Sequence, residues 1–372
     1  MRISFFVPRC TPDNSHGRYV IELVRRLGGQ LPVTVYAGAF SPLVRSVARC
    51  RFVPVPNRPA IARLAAMWTA SVVAARRQPA DIVHIQGADA PIGNVVTAHC
   101  CNSVMRVAAG DGARLHRRVN YAIGAGAERY CMTKASTRRI IAVSQRVKGE
   151  IEGAYSVAPQ RIVVIPNGVD AETFHPRHRA GSRMLVRERL GVTLDQFLVL
   201  FVGGDYRLKG LAALLEAARR VARAIRVLAV GVRPDAALVQ LVREKDLQRM
   251  VTFLGNTTDV ASLYAAADCF ALPTRYDTFS LATLEAMASG LPVIVSRAAG
   301  VSELLSPGRD SLILEDPNDV DALTQGLERL VQDEGLRSRL GVEARKTAER
   351  CSWDDVVTRT VAVYREALAS AG

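Results

Sequence analysis

The chain has 372 residues, 49% hydrophobic and 23% charged, which is too long for one ordinary core and makes two soluble domains the expectation. No run approaches the ~18 to 20 apolar residues of a bilayer span; the seven cysteines form no C-x-x-C pair, which disfavours structural zinc and fits reduced cytosolic thiols. Residues 1–180 hold 25 Lys and Arg against 10 Asp and Glu, a net of +15, and residues 181–372 hold 24 against 25, a net of −1, together the +14 of the chain. That lopsided basicity suits an anionic partner, such as a membrane surface, a phosphorylated acceptor or nucleic acid; it equally suits an Arg-rich solvated surface.

The stretch from Met1 to Pro8 is too short, and too soon broken by Pro8, for a secretory leader, and reads as a first buried strand. Strands are predicted at 3–7, 33–37, 82–85, 95–98, 140–143 and 162–165. Helical stretches lie between them at 18–27, 61–77 and 145–155, with a long basic one over 114–137. This is the alternation of a doubly wound α/β domain. The first strand runs into a loop that opens a helix at Gly17, where a backbone amide can approach an anion or a sugar closely. The absence of a G-x-G-x-x-G fingerprint argues against a nicotinamide dehydrogenase. His99 follows the strand at 95–98, placed either to face a cleft beyond the sheet or to serve a structural role. The basic stretch containing Arg114, His116, Arg117, Arg118 and Arg129 reads either as a surface for lipid headgroups or as an ordinary two-faced helix pair.

Asn167-Gly168 is a turn signal, and residues 174–182 are polar without an apolar period, so a linker is expected there. Domains are read as 1–175, 183–350 and a C-terminal helical segment, 351–372. The second half repeats the alternation, with strands at 197–202, 226–230, 251–253 and 269–272 and helices at 211–223, 236–245 and 260–266. After the strand at 197–202 comes Gly203-Gly204-Asp205-Tyr206-Arg207-Leu208-Lys209-Gly210. Small residues, two cations and a following helix suit a diphosphate, although the spacing is no Walker A. Only five of the 49 basic residues are lysines, so Lys209 stands out. A loop with Asp277 then leads to a helix carrying Glu285, closed by Gly290 before a strand at 291–295. Leu281, Leu284 and Ala288 give that helix an apolar stripe. Glu285 adjoins the stripe and needs partners there, either ligand hydroxyls or a nearby Arg. A last amphipathic helix at 356–368 follows the cap at Ser352-Trp353-Asp354-Asp355.

On these residues the chain resembles the retaining, GT-B-fold glycosyltransferases of family 4 over nearly its whole length, most strongly over 140–169 and 201–314. The acidic pair Asp277-x7-Glu285, followed by Ala286-Met287-Ala288-Ser289-Gly290-Leu291-Pro292, is similar to the family's paired acids. Ile140-Ile141-Ala142-Val143-Ser144 and Pro166-Asn167-Gly168-Val169-Asp170 match further landmarks. Here the first acid is Asp, one methylene shorter than the commoner Glu, and Ser280 replaces a Gly. A subgroup that resembles lipopolysaccharide-core glucosyltransferases varies in a similar way.

The resemblance implies an α/β fold of two Rossmann-like doubly wound domains facing a cleft, with a C-terminal helix bearing Trp353 and Tyr364 crossing back to the first. It implies that the first domain binds the acceptor and the second a nucleotide sugar. Glu285 would hold the ribose, and the amides of Phe279, Ser280 and Leu281 would meet the diphosphate and sugar. Lys209 would neutralise the diphosphate beside Gly203. Arg207 would replace the family's Arg, since Gly204 stands at that position. Leu254 would flank the base, His99 would contact the donor sugar, and Gly17 would lie in the acceptor-side loop.

The expected reaction is transfer to a hydroxyl of a glycan, lipid-linked or cell-envelope acceptor. No metal or cofactor is expected beyond the co-substrate, a UDP-sugar ahead of a GDP-sugar. Lys209, Arg207 and helix amides would meet the charge of the departing diphosphate. A nucleotide-sugar epimerase or phosphorylase on the same fold is the alternative enzyme. A nucleic-acid-binding protein lacks a reading module here, and a sugar-binding scaffold would not require Asp277, Glu285 and Lys209 together. The expected location is cytoplasmic, peripheral at the inner face of a membrane.

Overall fold

The computed structural model describes residues 1–56, 59–108, 115–221 and 225–370, without the side chains of 115–117. It divides into two compact units, one of Met1–Asn167 with the segment from Trp353 onward, the other of Gly168–Ser352. The boundary thus falls at Asn167-Gly168, ahead of the expected 175. Among the described residues no helix is long and apolar enough to cross a membrane.

In the first unit, buried apolar runs form β1 (Ile3–Phe6) and, after α1 (Ser15–Leu27), β2 (Val33–Ala37). Then come α2 (Pro42–Val47), β3 (Arg49–Phe52), α3 (Ala60–Arg77), β4 (Ile82–Gln86) and β5 (Val95–Ala98). α4 (Asn102–Ala108), α5 (Leu115–Thr133), β6 (Arg139–Ala142), α6 (Gln145–Tyr155) and β7 (Ile162–Val164) complete this part of the chain. The strands make one parallel seven-stranded sheet in the order β3-β2-β1-β4-β5-β6-β7. Such sheets are covered on both faces, so their strands read as continuous hydrophobic runs. β3 was not anticipated: Arg49-Cys50-Arg51-Phe52 is an exposed edge strand, and its arginines discourage further pairing. The expected basic helix over 114–137 is shorter than read. α5 ends at Thr133, Arg139 lies in β6, and Arg114 and the side chains of His116 and Arg117 fall outside the described residues.

The second unit corrects the expected linker. Residues from His178 form a helix, α7 (His178–Arg189), whose docking face is Arg179, Arg183 and Arg187 on Asp268. Next come β8 (Phe197–Val202), α8 (Leu211–Arg220), β9 (Ile225–Val230), α9 (Ala236–Glu244), β10 (Val251–Leu254), α10 (Val260–Ala266) and β11 (Cys269–Leu272). The helix expected over 211–223 ends at Arg220, where Val221 turns extended, and 222 and 223 lie outside the described residues. α11 (Leu281–Ala288) carries Glu285, β12 (Val293–Ser296) starts after Pro292, and β13 (Leu312–Leu314), α12 (Val320–Gln332) and α13 (Glu334–Glu349) were not anticipated. This sheet is also parallel, in the order β10-β9-β8-β11-β12-β13.

The last helix, α14 (Trp353–Ala369), packs within the first unit. Tyr364 meets the buried His84 Nδ1 at 2.6 Å, Trp353 packs edge-on to Tyr19, and Arg26 pairs with Asp354 at 2.6 Å. The expected return of this helix to the first unit is what the fold has.

Candidate active site

In the second unit, β8 starts the sheet; β9 and β10 extend it to one side and β11 to β13 to the other. The order therefore reverses between β8 and β11, and loops beyond the carboxyl ends of those two strands flank the switch, where open α/β sheets bind ligands. Lys209 lies on the loop after β8 and Asp277 on the loop after β11. Their side chains meet: Lys209 Nζ is 2.5 Å from Asp277 Oδ2. Gly203 lies under the lysine stem, where an added Cβ would come within 3.0 Å of Lys209 Cγ. Gly210 (φ +76°) caps α8 and runs against the Pro273 carbonyl too closely for any side chain. The two loops are thus fastened together by backbone contact as well as by the ion pair.

Asp277 is pinned by its own backbone, donating to Ala298 O at 3.1 Å and accepting from the Gly300 amide at 2.9 Å. Its Oδ1 accepts from the Phe279 amide at 3.3 Å. The Phe279 amide, expected to meet the diphosphate, thus has an acceptor in Asp277. Ser280 caps α11 at φ +78°, its hydroxyl accepting from the Thr283 amide, and the Leu281 amide opens the helix. Glu285 is 4% exposed and accepts from the Tyr264 hydroxyl at 3.1 Å. Arg207 is turned elsewhere: it pairs with Asp235 at 2.9 Å and lies over the Tyr206 ring, whose hydroxyl also donates to Asp235. It is more than half exposed. Leu254 ends the edge strand β10, two strands from β8, its carbonyl accepting from Gly231 at 3.0 Å. An Asp-x-Asp triplet occurs at Asp319-Val320-Asp321, where Asp319 caps α12 and Asp321 pairs with Arg220.

Gly17 and His99 belong to the first unit. α1 starts at Ser15, and the Gly17 amide donates to the Asn14 cap at 2.7 Å, so it is not a free amide for a sugar or anion. The glycine is demanded by packing instead: a Cβ would fall 2.7 Å from Arg9 O and 2.8 Å from Asn14 Nδ2. His99 Nε2 lies 2.8 Å from Gln86 Oε1, its ring stacks on His16 at 4.3 Å, and Tyr19 packs edge-on to it. Burial, then the neighbouring His16 and His84, hold His99 well below the usual range, so the imidazole is neutral. The His16 and His99 rings open on a cavity of about 290 Å³ beyond the ends of β1, β4 and β5, again at a switch in strand order. Among the described residues, Gln86 Nε2 and Asp89 Oδ2 line it buried and without a hydrogen-bond partner. Burial raises the Asp89 carboxyl far above its ordinary value, opposed by Arg63. Glu128 at the same wall is pushed by burial to about 7 against hydrogen bonds from Asn102 and Tyr155. Sequence reasoning missed His16, Gln86, Asp89, Asp235 and Tyr264. Only Gln86-Gly87, closing a buried strand, carried a positional signal.

Both halves of the chain match families of the same kind. The model described as Glycosyltransferase Family 4 covers residues 16–173, and that described as Glycosyl transferases group 1 covers 196–333. The chain is 34% identical over 247 residues to the MMP alpha-(1->4)-mannosyltransferase of Mycolicibacterium hassiacum, spanning 64% of this chain and 57% of that protein. It is 33% identical over 257 residues to the D-inositol 3-phosphate glycosyltransferase of Salinispora arenicola, spanning 64% and 57%. The matches thus span little more than half the length of these curated relatives. Among solved structures, WaaG, a glycosyltransferase involved in lipopolysaccharide biosynthesis, superposes with a TM-score of 0.82 at 20% identity over 96% of this chain and 98% of that one. Anabaena HepE in complex with UDP-glucose gives 0.77 at 19% identity over the whole of both chains. Two parallel Rossmann-like sheets, a returning last helix and family matches to each half lead to one assignment. The chain belongs to the GT-B-fold glycosyltransferases of family 4.

Proposed function

We propose that the chain is a retaining glycosyltransferase that moves a sugar from a nucleotide sugar to an acceptor hydroxyl without a metal ion. The observation that carries this reading is the meeting of Lys209 and Asp277 beside the start of α11, at the switch point of the second sheet. In this reading the bond from the anomeric carbon to the diphosphate breaks, and its electron pair leaves with the phosphate. The acceptor oxygen bonds to that carbon from the same face, and its proton passes to the departing phosphate oxygen. Lys209 and the first amides of α11 meet the charge that develops. Glu285, steadied by Tyr264, receives the ribose hydroxyls. Within the first unit, the neutral His99 can donate or accept a hydrogen bond but supplies no charge.

A UDP-sugar is the favoured donor, supported by the UDP-glucose held by HepE. A phosphorylated polyol or glycan is the favoured acceptor, supported by the name of the Salinispora relative and by the +15 first half. The same basicity supports peripheral attachment to an anionic bilayer; co-sedimentation with anionic vesicles at low salt and not at high salt is the expected result, and none at low salt ends that idea. The activity is tested with UDP-, GDP- and ADP-sugars, with and without acceptors, following nucleoside diphosphate release and the anomeric configuration of the product. Release that depends on acceptor and retains configuration is expected. Donor epimerisation without acceptor, or release driven by inorganic phosphate, would favour the epimerase or phosphorylase alternative.

A further inference from the structure

Asp277 holds two donors at once. Its Oδ2 takes the Lys209 ammonium at 2.5 Å and its Oδ1 the Phe279 amide at 3.3 Å. Neither residue is loosely placed. The Asp277 backbone is bonded on both sides and bridges to Ala299, while the Lys209 amide donates to Asp205 O at 2.9 Å and its stem rests on Gly203. The side chains are 20% and 13% exposed, so solvent screens the pair only weakly.

A diphosphate oxygen seeks the same two partners as a carboxylate oxygen, an ammonium and a backbone amide. With both anions on one lysine, their mutual repulsion inside a largely covered site opposes the second. We propose that Asp277 is a built-in rival of the donor's diphosphate, which must take Lys209 and the Phe279 amide from it before it can bind. The inference rests on the reading of these loops as the donor site. Because the backbone is fixed, the exchange is a rotation of one short side chain. The returning carboxylate also helps expel the nucleoside diphosphate after transfer, a step that often limits turnover. A longer acid could keep contact with the lysine from further away; Asp at this position cannot.

The test measures calorimetric affinities of UDP, GDP and ADP for the whole protein and its Asp277→Asn variant, which keeps the amide contact but not the charge. Binding of the preferred nucleoside diphosphate is expected to tighten by roughly tenfold, with donor KM and kcat both falling. In a Lys209→Ala background the same change should leave affinity unaltered. A folded Asp277→Asn protein that binds no more tightly, or an equal gain without Lys209, overturns the proposal. Wild type that binds none of the three nucleotides overturns the donor-site reading itself, and this inference with it. Should the variant not fold, wild-type NMR decides. The Asp277 carboxyl signal and the Lys209 ammonium, one of only five lysines, are followed as nucleotide is added. Both should shift together, and an unmoved Asp277 carboxyl at saturation sinks the idea.

Discussion

Ser280 sits at φ +78°, a backbone state that a residue with a Cβ reaches only at a cost. It repays part of that cost as the cap of α11, its hydroxyl accepting from the Thr283 amide. Ser280→Gly relieves roughly 1 to 2 kcal/mol of left-handed strain, loses a few tenths from the cap and up to 1 kcal/mol to unfolded-chain freedom. A net gain of about 0.5 kcal/mol is expected as a higher urea midpoint for the second unit, and a lower midpoint would show that the cap dominates. Lys209→Ala should lower turnover by ~100-fold or more, since it removes the ammonium that meets the leaving charge; near-normal turnover would remove Lys209 from the chemistry. Asp277 and Lys209 were legible as charges on loops that follow buried apolar strands, Lys209 the more so as one of five lysines, and Glu285 as a charge beside the apolar stripe of its helix. The Arg207–Asp235 pair was not, because its partner lies on a different strand-end loop, and only the fold puts the loops after β8 and β9 side by side.

At the scale of elements, α7 shows how a helix hides from pattern reading. Its docking face is three arginines, four residues apart, against one carboxylate and the carbonyls of Ala266 and Ala267 at the end of α10. Arg187 is 1% exposed, so a charged side chain occupies a position where apolar periodicity is normally sought. Burial pushes the Asp268 carboxyl up, but the Leu198 amide, Arg183 and Arg187 outweigh it and hold it below the ordinary range. Asp268→Ala would leave Arg187 buried and unpaired. A loss of about 3 kcal/mol is expected, Arg179 being too exposed to add much, and far-UV circular dichroism during urea unfolding measures it. A cost below about 1 kcal/mol would mean that the carbonyls alone satisfy the arginines. β3 escaped notice for a related reason, since an edge strand with arginines presents no apolar run. α12 was readable: Leu323, Leu327 and Leu330 are buried at helical spacing.

At the scale of the molecule, the first unit gathers buried titratable groups that pull stability in opposite directions with pH. Burial takes His16 to about 4, with Arg63 adding to it, and His84 to about 3. A histidine whose folded value lies below its unfolded one contributes stability above pH ~6.5, which is lost as pH falls through that value toward the folded one. Glu128, raised to about 7, behaves oppositely: its contribution is complete below pH ~4.5 and lost as pH rises to about 7. His99 acts with the other histidines and the raised Asp89 acts with Glu128, so the two sets largely offset each other between pH 7.5 and 5 in the wild type. Glu128→Gln removes one acid and should make the first unit lose stability on acidification over that range. Both tryptophans, Trp68 and Trp353, lie in this unit, so their fluorescence during urea unfolding at each pH reports it. A midpoint of the Glu128→Gln protein that still rises toward pH 5 would show that Asp89 outweighs the histidines. The two-unit plan and the parallel sheets were legible because alternation of apolar runs and helices dictates them. The histidine cluster was not, because stacking His16 on His99 requires α1 and the end of β5 to converge.

Val169 pairs with Ser352, its amide donating to Cys351 O at 2.8 Å, so the chain enters and leaves the second unit side by side. That makes residues 168–352 an insertion within the first unit, whose last helix is synthesised only afterwards. On the ribosome, the second unit has all its strands before α14 exists, while Tyr19 still waits for Trp353 and His84 for Tyr364. The inserted unit can therefore close first, and the interrupted one must hold an open apolar flank until translation has passed Trp353. A chain ending at Ser352 and released from the ribosome should carry a protease-resistant second unit on an unfinished first.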